Sequence, residues 1–323
     1  MTTQEPDLTC DSSAADLLGR IGSRAGLRLR HLHPPTCRGA KHHEGPDGTD
    51  PAFAPPPEPT AMNRPRTAPT LVAVGHGSRD PRAAATLRLL LDRVRELRPG
   101  LDVRLAHIEL NAPLLTDALA ERAALAERAG EAAGTAGVVL VPLLLARGHH
   151  VKHDLPAAVA AAPAARARVA APLGPHPLLV EALADRLAEA GWTPEDGRSP
   201  ATGVVLASAG SRDPESAADI RRVAAQLGER LGGVPVVPAY TSAAAPTVPE
   251  AVRALAARGR HRVAVASCFT APGLFAARAA ADAPWLASAP LGAHPALARL
   301  VLHRYDEALR PAVGSARREL AAI

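Results

Sequence analysis

The stretch Leu71-Val-Ala-Val-Gly-His-Gly-Ser-Arg-Asp-Pro81 combines an apolar run with a histidine held between two glycines. The four residues from Leu71 predict a buried parallel strand, and Pro81 with the Ala- and Leu-rich run behind it predicts the first turn of a helix. His76 therefore falls on a strand-to-helix turn. Ligands of open α/β sheets bind at the carboxyl ends of strands, and the flanking glycines would let a substrate approach the backbone closely. An ordinary turn explains the same residues, so the choice depends on the rest of the chain.

Strand and helix patterns alternate along the chain from residue 67 onward. Strands are expected near residues 70–75, 103–108, 137–142 and 168–172, and helices near 81–97, 113–129, 154–162 and 177–190. Such alternation predicts an α/β fold in which helices cover both faces of a parallel sheet. The segment from Gly191 to Pro200 then interrupts the pattern with two glycines and two prolines, which is typical of a linker.

The second half of the chain repeats the first. Gly77-Ser-Arg-Asp-Pro81 recurs as Gly210-Ser-Arg-Asp-Pro214, and Ala112-Pro113 recurs as Ala245-Pro246, both 133 positions later (210 minus 77, 245 minus 112). Leu173-Gly-Pro-His-Pro177 returns as Leu291-Gly-Ala-His-Pro295. The repeat predicts two similar α/β lobes. The predicted organisation is a disordered extension at 1–66, a first lobe at 67–192, a linker at 193–202, a second lobe at 203–310 and a tail at 311–323.

The first 66 residues are rich in proline, including Pro55-Pro-Pro-Glu-Pro59, and this composition predicts disorder. The segment also contains four histidines and two cysteines, whose spacing fits no zinc-finger template: His31, His33, His42, His43, Cys10 and Cys37. A second methionine, Met62, lies just before the first predicted strand. We expect translation of the natural protein to begin there, so that residues 1–61 would not belong to it.

Composition narrows the class of protein. The 323 residues are 47% hydrophobic but only 2% aromatic, so the core must consist of Ala, Leu and Val. The net charge of +5 suits a polyanionic small molecule, although Arg-rich solvated helix faces would produce it as well. The arginines are too scattered to predict nucleic-acid binding. The three cysteines form no disulfide pattern, and neither a membrane span nor a secretory signal is present, so a cytoplasmic protein is expected.

The differences between the two copies point to a site. His76, Glu109 and His150 each end or follow a strand of the first lobe, whereas the matching residues of the second lobe are Ala209, Ser242 and Phe275. If these side chains only stabilised the fold, the second lobe would need them too. By contrast, His176 and His294 are present in both copies, each before a proline at a helix start, and we interpret them as structural.

Two imidazoles and one carboxylate make a plausible three-ligand metal site. This donor set suits Fe(II), Co(II), Ni(II) or Zn(II), and the absence of thiolate indicates an ion that is held loosely. A structural zinc would more often be closed by four ligands that include cysteine. Two alternatives remain open: Glu109 could pair with an arginine, and one of the histidines could cap a helix.

Three motifs in this order resemble the class II chelatases that insert a divalent metal into sirohydrochlorin. They are Val74-Gly-His-Gly-Ser-Arg79, Ile108-Glu-Leu-x-x-Pro113, and Val141-Pro-Leu-Leu-Leu followed by Gly148-His-His-Val-Lys-His-Asp-Leu-Pro156. The resemblance implies an ATP-independent chelatase with two flavodoxin-like lobes facing each other across a cleft. It also implies that His76 and His150 handle the metal with Glu109 as acidic partner. His149 competes with His150, but the His-x-x-x-Asp spacing that ends at Pro156 favours His150.

The chemistry of metal insertion is consistent with these residues. Neutral histidines can hold the incoming ion and accept pyrrole protons, and a carboxylate can act as base or counter-charge, so the division of roles stays open. Arg79 and Ser78, with the amides at the following helix start, could bind a carboxylate of the macrocycle. Because Ser211-Arg212 is retained in the second lobe, a plain turn-stabilising role fits equally. Fe(II) and Co(II) accept the same ligands, so both remain candidates for the inserted metal. The sequence also leaves the oligomeric state open.

Two other classes of protein remain as alternatives. A non-catalytic metal carrier could use the same three residues. A histidine phosphatase also has a histidine on a strand-to-helix turn, but its nucleophile follows an arginine, whereas Gly75 precedes His76 here.

Overall fold

The structure, a computed structural model, describes residues 68–128 and 137–310. All of them lie within Ala61–Ile323, the second of the two units of the chain. The predicted disordered extension at 1–66, with its histidines and cysteines, and the predicted tail at 311–323 lie outside the described residues.

Two parallel sheets form the framework, one in each half of the chain. The first contains β1 (Thr70–Gly75), β2 (Val103–His107), β3 (Val138–Pro142) and β4 (Ala167–Val169) in the order β2-β1-β3-β4. The second contains β5 (Thr202–Ser208), β6 (Val236–Tyr240), β7 (Arg262–Ser267) and β8 (Leu286–Ala287) in the order β6-β5-β7-β8. The same order recurs in the second sheet and is that of flavodoxin-like sheets. The predicted α/β fold with two tandem lobes is confirmed.

Helices connect the strands and cover both faces of the sheets. Those of the first half are α1 (Pro81–Leu97), α2 (Leu115–Arg128), α3 (Leu155–Ala161), α4 (Pro177–Glu189) and α5 (Pro194–Arg198). Those of the second half are α6 (Pro214–Arg230), α7 (Val248–Ala256), α8 (Leu274–Ala281) and α9 (Pro295–Leu309). The repeated Asp-Pro pair explains two of the starts, because Asp80 and Asp213 each accept a hydrogen bond from the backbone N–H two residues on, with proline at the first helical position.

The largest differences from the expected bounds are at α2, β4, α3 and the predicted linker. Helix α2 begins at Leu115 rather than 113, because the Pro113 carbonyl accepts a hydrogen bond from His107 N (3.0 Å) and stays outside the helix. Strand β4 spans Ala167–Val169 rather than 168–172, and Ala170 N still donates to Leu140 O (2.8 Å) just beyond its end. Ahead of α3, a π-helical turn spans His150–Asp154, so helical backbone begins four residues before the expected start at 154. The predicted linker contains α5, which begins with a capping box between Thr193 and Asp196.

Each sheet has one face on a core that the two lobes share. In β1 the alternation sends Leu71 and Ala73 into this shared core, while Val72 and Val74 pack into a separate core under α2 and α3. In β5, Val204 and Leu206 likewise join the shared core. Helix α9, from the second half, packs on α1 and β3 of the first lobe, and α4, from the first half, packs on α6 and β7 of the second. The lobes therefore exchange helices and form one hydrophobic unit.

No helix in the described ranges has the length and apolarity that crossing a bilayer requires. Of the cysteines, Cys268 lies in the described part of the chain, where it is fully buried in the shared core, and burial raises the pKa of its thiol to about 12. A thiol in this environment stays protonated and packs as a small apolar side chain.

Candidate active site

His76 follows the last residue of β1 at the carboxyl edge of the first sheet. Its Nε2 atom lies 3.4 Å from Oε1 of Glu109, and both side chains are about half exposed. Their backbones are joined too, since Glu109 N donates to His76 O at 3.1 Å. Glu109 thus faces a site histidine, and the alternative in which it pairs with an arginine has no support in the described contacts.

The glycines around His76 serve the protein's own packing. A Cβ atom on Gly77, whose φ is +106°, would lie 1.9 Å from the carbonyl oxygen of Glu109. A Cβ atom on Gly75 would lie 3.0 Å from Leu87 and 3.2 Å from His107. The neighbouring loop, α1 and β2 thus occupy the space that a side chain at either position would need, which gives these glycines a packing role.

His150 begins the π-helical turn, and its ring lies edge-on to the His76 ring with 4.7 Å between centroids. In a sheet of order β2-β1-β3, the connections leave β1 and β3 in opposite directions, and this switch point is where α/β sheets bind ligands. His76 follows β1, Glu109 follows β2 and His150 follows β3. The structure thus brings the three predicted residues together at the switch point.

Asp154 is a fourth member of the cluster that sequence reasoning did not assign. Its Oδ2 atom lies 2.5 Å from His150 Nδ1, and its Oδ1 atom lies 3.7 Å from His149 Nε2. An ionised carboxylate only accepts hydrogen bonds, so His150 donates from Nδ1 and the lone pair of its neutral ring is on Nε2. The His-x-x-x-Asp spacing from His150 to Asp154 is the sequence feature that could have indicated this contact.

The cluster is open rather than closed around an ion. Across the described ranges, no group of three or more His, Cys, Asp or Glu side chains has the geometry of a metal site. The three side chains instead meet as two pairs, His76 with Glu109 and His76 with His150.

The second lobe keeps the backbone of this site and lacks its side chains. Ser242 N donates to Ala209 O (2.9 Å), the same bond that joins Glu109 to His76, and Gly210 repeats the close approach of Gly77. Gly148 lies against Ser211 of the second lobe, and Gly273 lies against Ser78 of the first. These reciprocal contacts support the alignment of Gly148 with Gly273. His150 and Phe275, each two residues after its glycine, are therefore equivalent positions in the two copies.

Ser78 makes the bonds of a turn. Its hydroxyl oxygen accepts from Asp80 N at 3.1 Å, as Ser211 accepts from Asp213 N at the same distance. Ser78 N also donates to the Asn111 side chain at 2.7 Å. The hydroxyl proton is left available, so the turn bonds and a contact to a ligand are compatible.

His176 and His294 lie away from this cluster and cap helices. His176 Nδ1 accepts from Leu178 N at the start of α4, and His294 Nδ1 accepts from Ala296 N at the start of α9. Burial lowers the pKa of both rings, which favours the neutral form that can accept these bonds.

A family model named CbiX matches residues 70–190 and 203–308, which together exceed half of the chain. The chain belongs to the CbiX family. The expected family membership is thereby confirmed, and the two matched ranges correspond to the two lobes of this CbiX-family protein.

Two curated relatives share sequence with this CbiX-family protein. One is the sirohydrochlorin ferrochelatase of Bacillus subtilis (strain 168), which is 27% identical over 184 residues, covering 56% of this chain and 66% of the relative. The other is the sirohydrochlorin cobaltochelatase of Priestia megaterium, 25% identical over 215 residues, covering 65% of this chain and 66% of the relative. The matches thus span slightly under two thirds of each relative.

A solved structure with the same fold is SirB from Bacillus subtilis with Fe3+. It superposes with a TM-score of 0.59 at 22% identity and covers 75% of this chain and 95% of the SirB chain. At this level of identity the similarity establishes the fold, and function must be argued from the site.

Proposed function

We propose that this CbiX-family protein inserts a divalent metal ion, Fe(II) or Co(II), into sirohydrochlorin without ATP, with the ion as a substrate. The observation that carries the proposal is the meeting of His76, Glu109 and His150 at the switch point of one sheet, while the duplicate sheet lacks all three side chains. The names of the two curated relatives supply the substrate and the two metals.

The two imidazoles receive the ion in this proposal. Because Asp154 accepts from Nδ1 of His150, Nε2 of that ring is free to bind a metal, and the carboxylate keeps the ring oriented. Nitrogen and oxygen donors without thiolate hold Fe(II) and Co(II) loosely enough to release them. Loose binding is required here, because the ion has to pass on to the macrocycle.

Glu109 is the proposed acceptor for the protons that leave the macrocycle. Insertion replaces both inner pyrrole protons by the metal, so a base must stand near the ion at that moment. Glu109 lies within 3.4 Å of His76 and about half of its side chain is exposed, so the carboxylate can reach both a bound ligand and solvent. His76 can take the same role, in which case Glu109→Gln would leave turnover unchanged.

Arg79 and Ser78 are the proposed contacts to the carboxylates of sirohydrochlorin. Both lie just before Asp80, the N-cap of α1, where Arg79 offers a cation that can pair with a carboxylate. The Ser78 hydroxyl accepts from Asp80 N but can still donate its own proton to a carboxylate oxygen.

Incubation with sirohydrochlorin and either Co(II) or Fe(II), in the absence of ATP, tests the proposal. Insertion changes the absorption spectrum of the tetrapyrrole, and we expect the change to be faster than in a protein-free control. A metal carrier would bind the ion and leave the rate of the spectral change at that of the control. Comparing the two metals at equal free concentration identifies the preferred substrate.

A further inference from the structure

Asp219 is a carboxylate without any exposed surface, and it holds the loop that carries His150. It lies on α6 of the second lobe and accepts three hydrogen bonds from Arg147: from the backbone N (3.0 Å), Nε (2.9 Å) and Nη2 (2.6 Å). Burial raises the pKa of this carboxyl, but the Arg147 bonds outweigh burial and the net shift is downward. Asp219 is therefore ionised and fully paired.

Arg147 directly precedes Gly148-His149-His150, so the bond from its backbone fixes the main chain just before the histidine. On the other side of His150, Lys152 Nζ lies 2.8 Å from Asp213 and 3.1 Å from Glu215, at the N-terminal end of α6. The segment is thus tied to one helix of the opposite lobe both before and after His150.

The repeat shows that this anchoring is one-sided. At the position of Asp219, 133 residues earlier, the first lobe has Thr86, and at the position of Glu215 it has Arg82. By the alignment of Gly148 with Gly273, Arg147 corresponds to Pro272 and Lys152 to Ala277. The reciprocal loop, which has Phe275 in place of His150, therefore lacks both cations; of the facing carboxylates the first lobe keeps the helix cap Asp80, the counterpart of Asp213, and lacks those of Asp219 and Glu215.

We propose that the second lobe positions His150 for metal insertion, chiefly through Asp219, which holds Arg147, and also through Asp213 and Glu215, which hold Lys152. The inference rests on the proposed function. Asp219 contacts neither metal nor macrocycle in this scheme and is a positioning residue. Displacing a reacting group by about 1 Å can cost about 100-fold in rate, so a fixed main chain at Arg147 matters for turnover.

The test compares Asp219→Asn with Asp306→Asn. Asp306, on α9, pairs with Arg98 at the end of α1 through two bonds of 2.5 and 2.8 Å, so it is a second carboxylate-arginine contact between the two halves, more exposed than that of Asp219, that does not involve the His150 loop. We expect Asp219→Asn to lower kcat by about 10- to 100-fold with KM for sirohydrochlorin changed less than about 3-fold. Asp306→Asn should keep kcat within about 2-fold of the parent.

Equal kcat losses in the two variants, or an unchanged kcat in Asp219→Asn, would overturn the proposal. Should Asp219→Asn fail to fold, Lys152→Met tests the proposal instead, because it removes the partly exposed ion pairs of Lys152 with Asp213 and Glu215. We expect this variant to lower kcat by about 3- to 10-fold. An unchanged kcat in Lys152→Met would then count against the proposal.

A second readout separates this proposal from the proposed function. The ring nitrogen and carbon NMR signals of His150, recorded without substrate, should move in Asp219→Asn, while those of His294 stay in place. That result would support positioning even if the parent protein inserted no metal. Unchanged His150 signals would contradict positioning whatever the activity.

Discussion

His76 and Glu109 are held by their backbones independently of their side chains. The bond from Glu109 N to His76 O and the close approach at Gly77 fix the two loops, and the second lobe repeats both features with Ala209 and Ser242. The duplicate therefore shows that this backbone forms without the imidazole or the carboxylate. Substitutions at these positions should act on chemistry rather than on folding.

We expect His76→Ala and His150→Ala each to abolish metal insertion while the protein stays folded. The second lobe has alanine and phenylalanine at the matching positions and forms the same sheet. Both side chains are partly exposed, so truncation opens no cavity in either core. Insertion rates and thermal melting of the purified variants check this, and a melting temperature far below that of the parent would argue for a structural role.

Glu109→Gln should lower kcat without preventing metal binding. Glutamine keeps the size and the backbone contacts but cannot accept a proton, and general-base groups typically contribute about 100-fold or more. We expect a loss of that order, with Co(II) affinity in a titration reduced much less. Unchanged turnover would remove Glu109 from the proton transfer and leave His76 as the base.

At the scale of elements, the two capping histidines couple helix starts to pH. His176 and His294 accept hydrogen bonds through Nδ1 only when neutral, and burial lowers the pKa of both rings. For a histidine with a lowered folded-state pKa, the stabilisation is fully present above the ordinary value of about 6.5 and is lost as the pH falls toward the folded-state value.

His294→Asn should reduce this acid sensitivity. Asparagine is a good N-cap residue that does not titrate, so α9 keeps its cap at low pH. A helix cap contributes about 1 kcal/mol to stability. When the pH is lowered from 7.5 to 5, we therefore expect the free energy of unfolding to fall by about 1 kcal/mol less in the variant than in the parent. Urea unfolding at the two pH values measures the difference. Equal losses in parent and variant would mean that the His294 cap does not titrate in this range.

Local patterns were sufficient to predict most elements. The apolar run from Leu71 and the Asp-Pro caps act within a few residues, so β1, α1 and α6 could be read from the sequence. The π-helical turn at His150 could not, because its geometry depends on how the loop packs. The Asp219 anchor joins residues 72 positions apart and leaves no local pattern. The three candidate site residues could be predicted from two signals: the comparison with the duplicated lobe, and the resemblance of the motifs around them to those of the class II chelatases.

At the scale of the whole molecule, the exchanged helices make the two lobes interdependent. Helix α9 covers β3 of the first sheet, and Tyr305 of α9 donates its hydroxyl to Pro69 O just before β1 (2.5 Å). The apolar faces of both sheets meet in the shared core, whereas α7 packs in a core that belongs to the second lobe alone. A change in α9 should therefore alter the stability of the first sheet, although α9 is the last element in the described part of the chain.

Leu297→Ala in α9 and Leu255→Ala in α7 test this dependence as a matched pair. Both leucines are buried, and each truncation should cost about 2–5 kcal/mol of unfolding free energy. We expect Leu297→Ala to increase amide hydrogen exchange in β1 and β3 as well as in the second lobe, because it weakens the shared core. Leu255→Ala should increase exchange mainly in β5 and β7, which its core contains. Unchanged protection of β1 and β3 in Leu297→Ala would show that the first sheet does not depend on the exchanged helix.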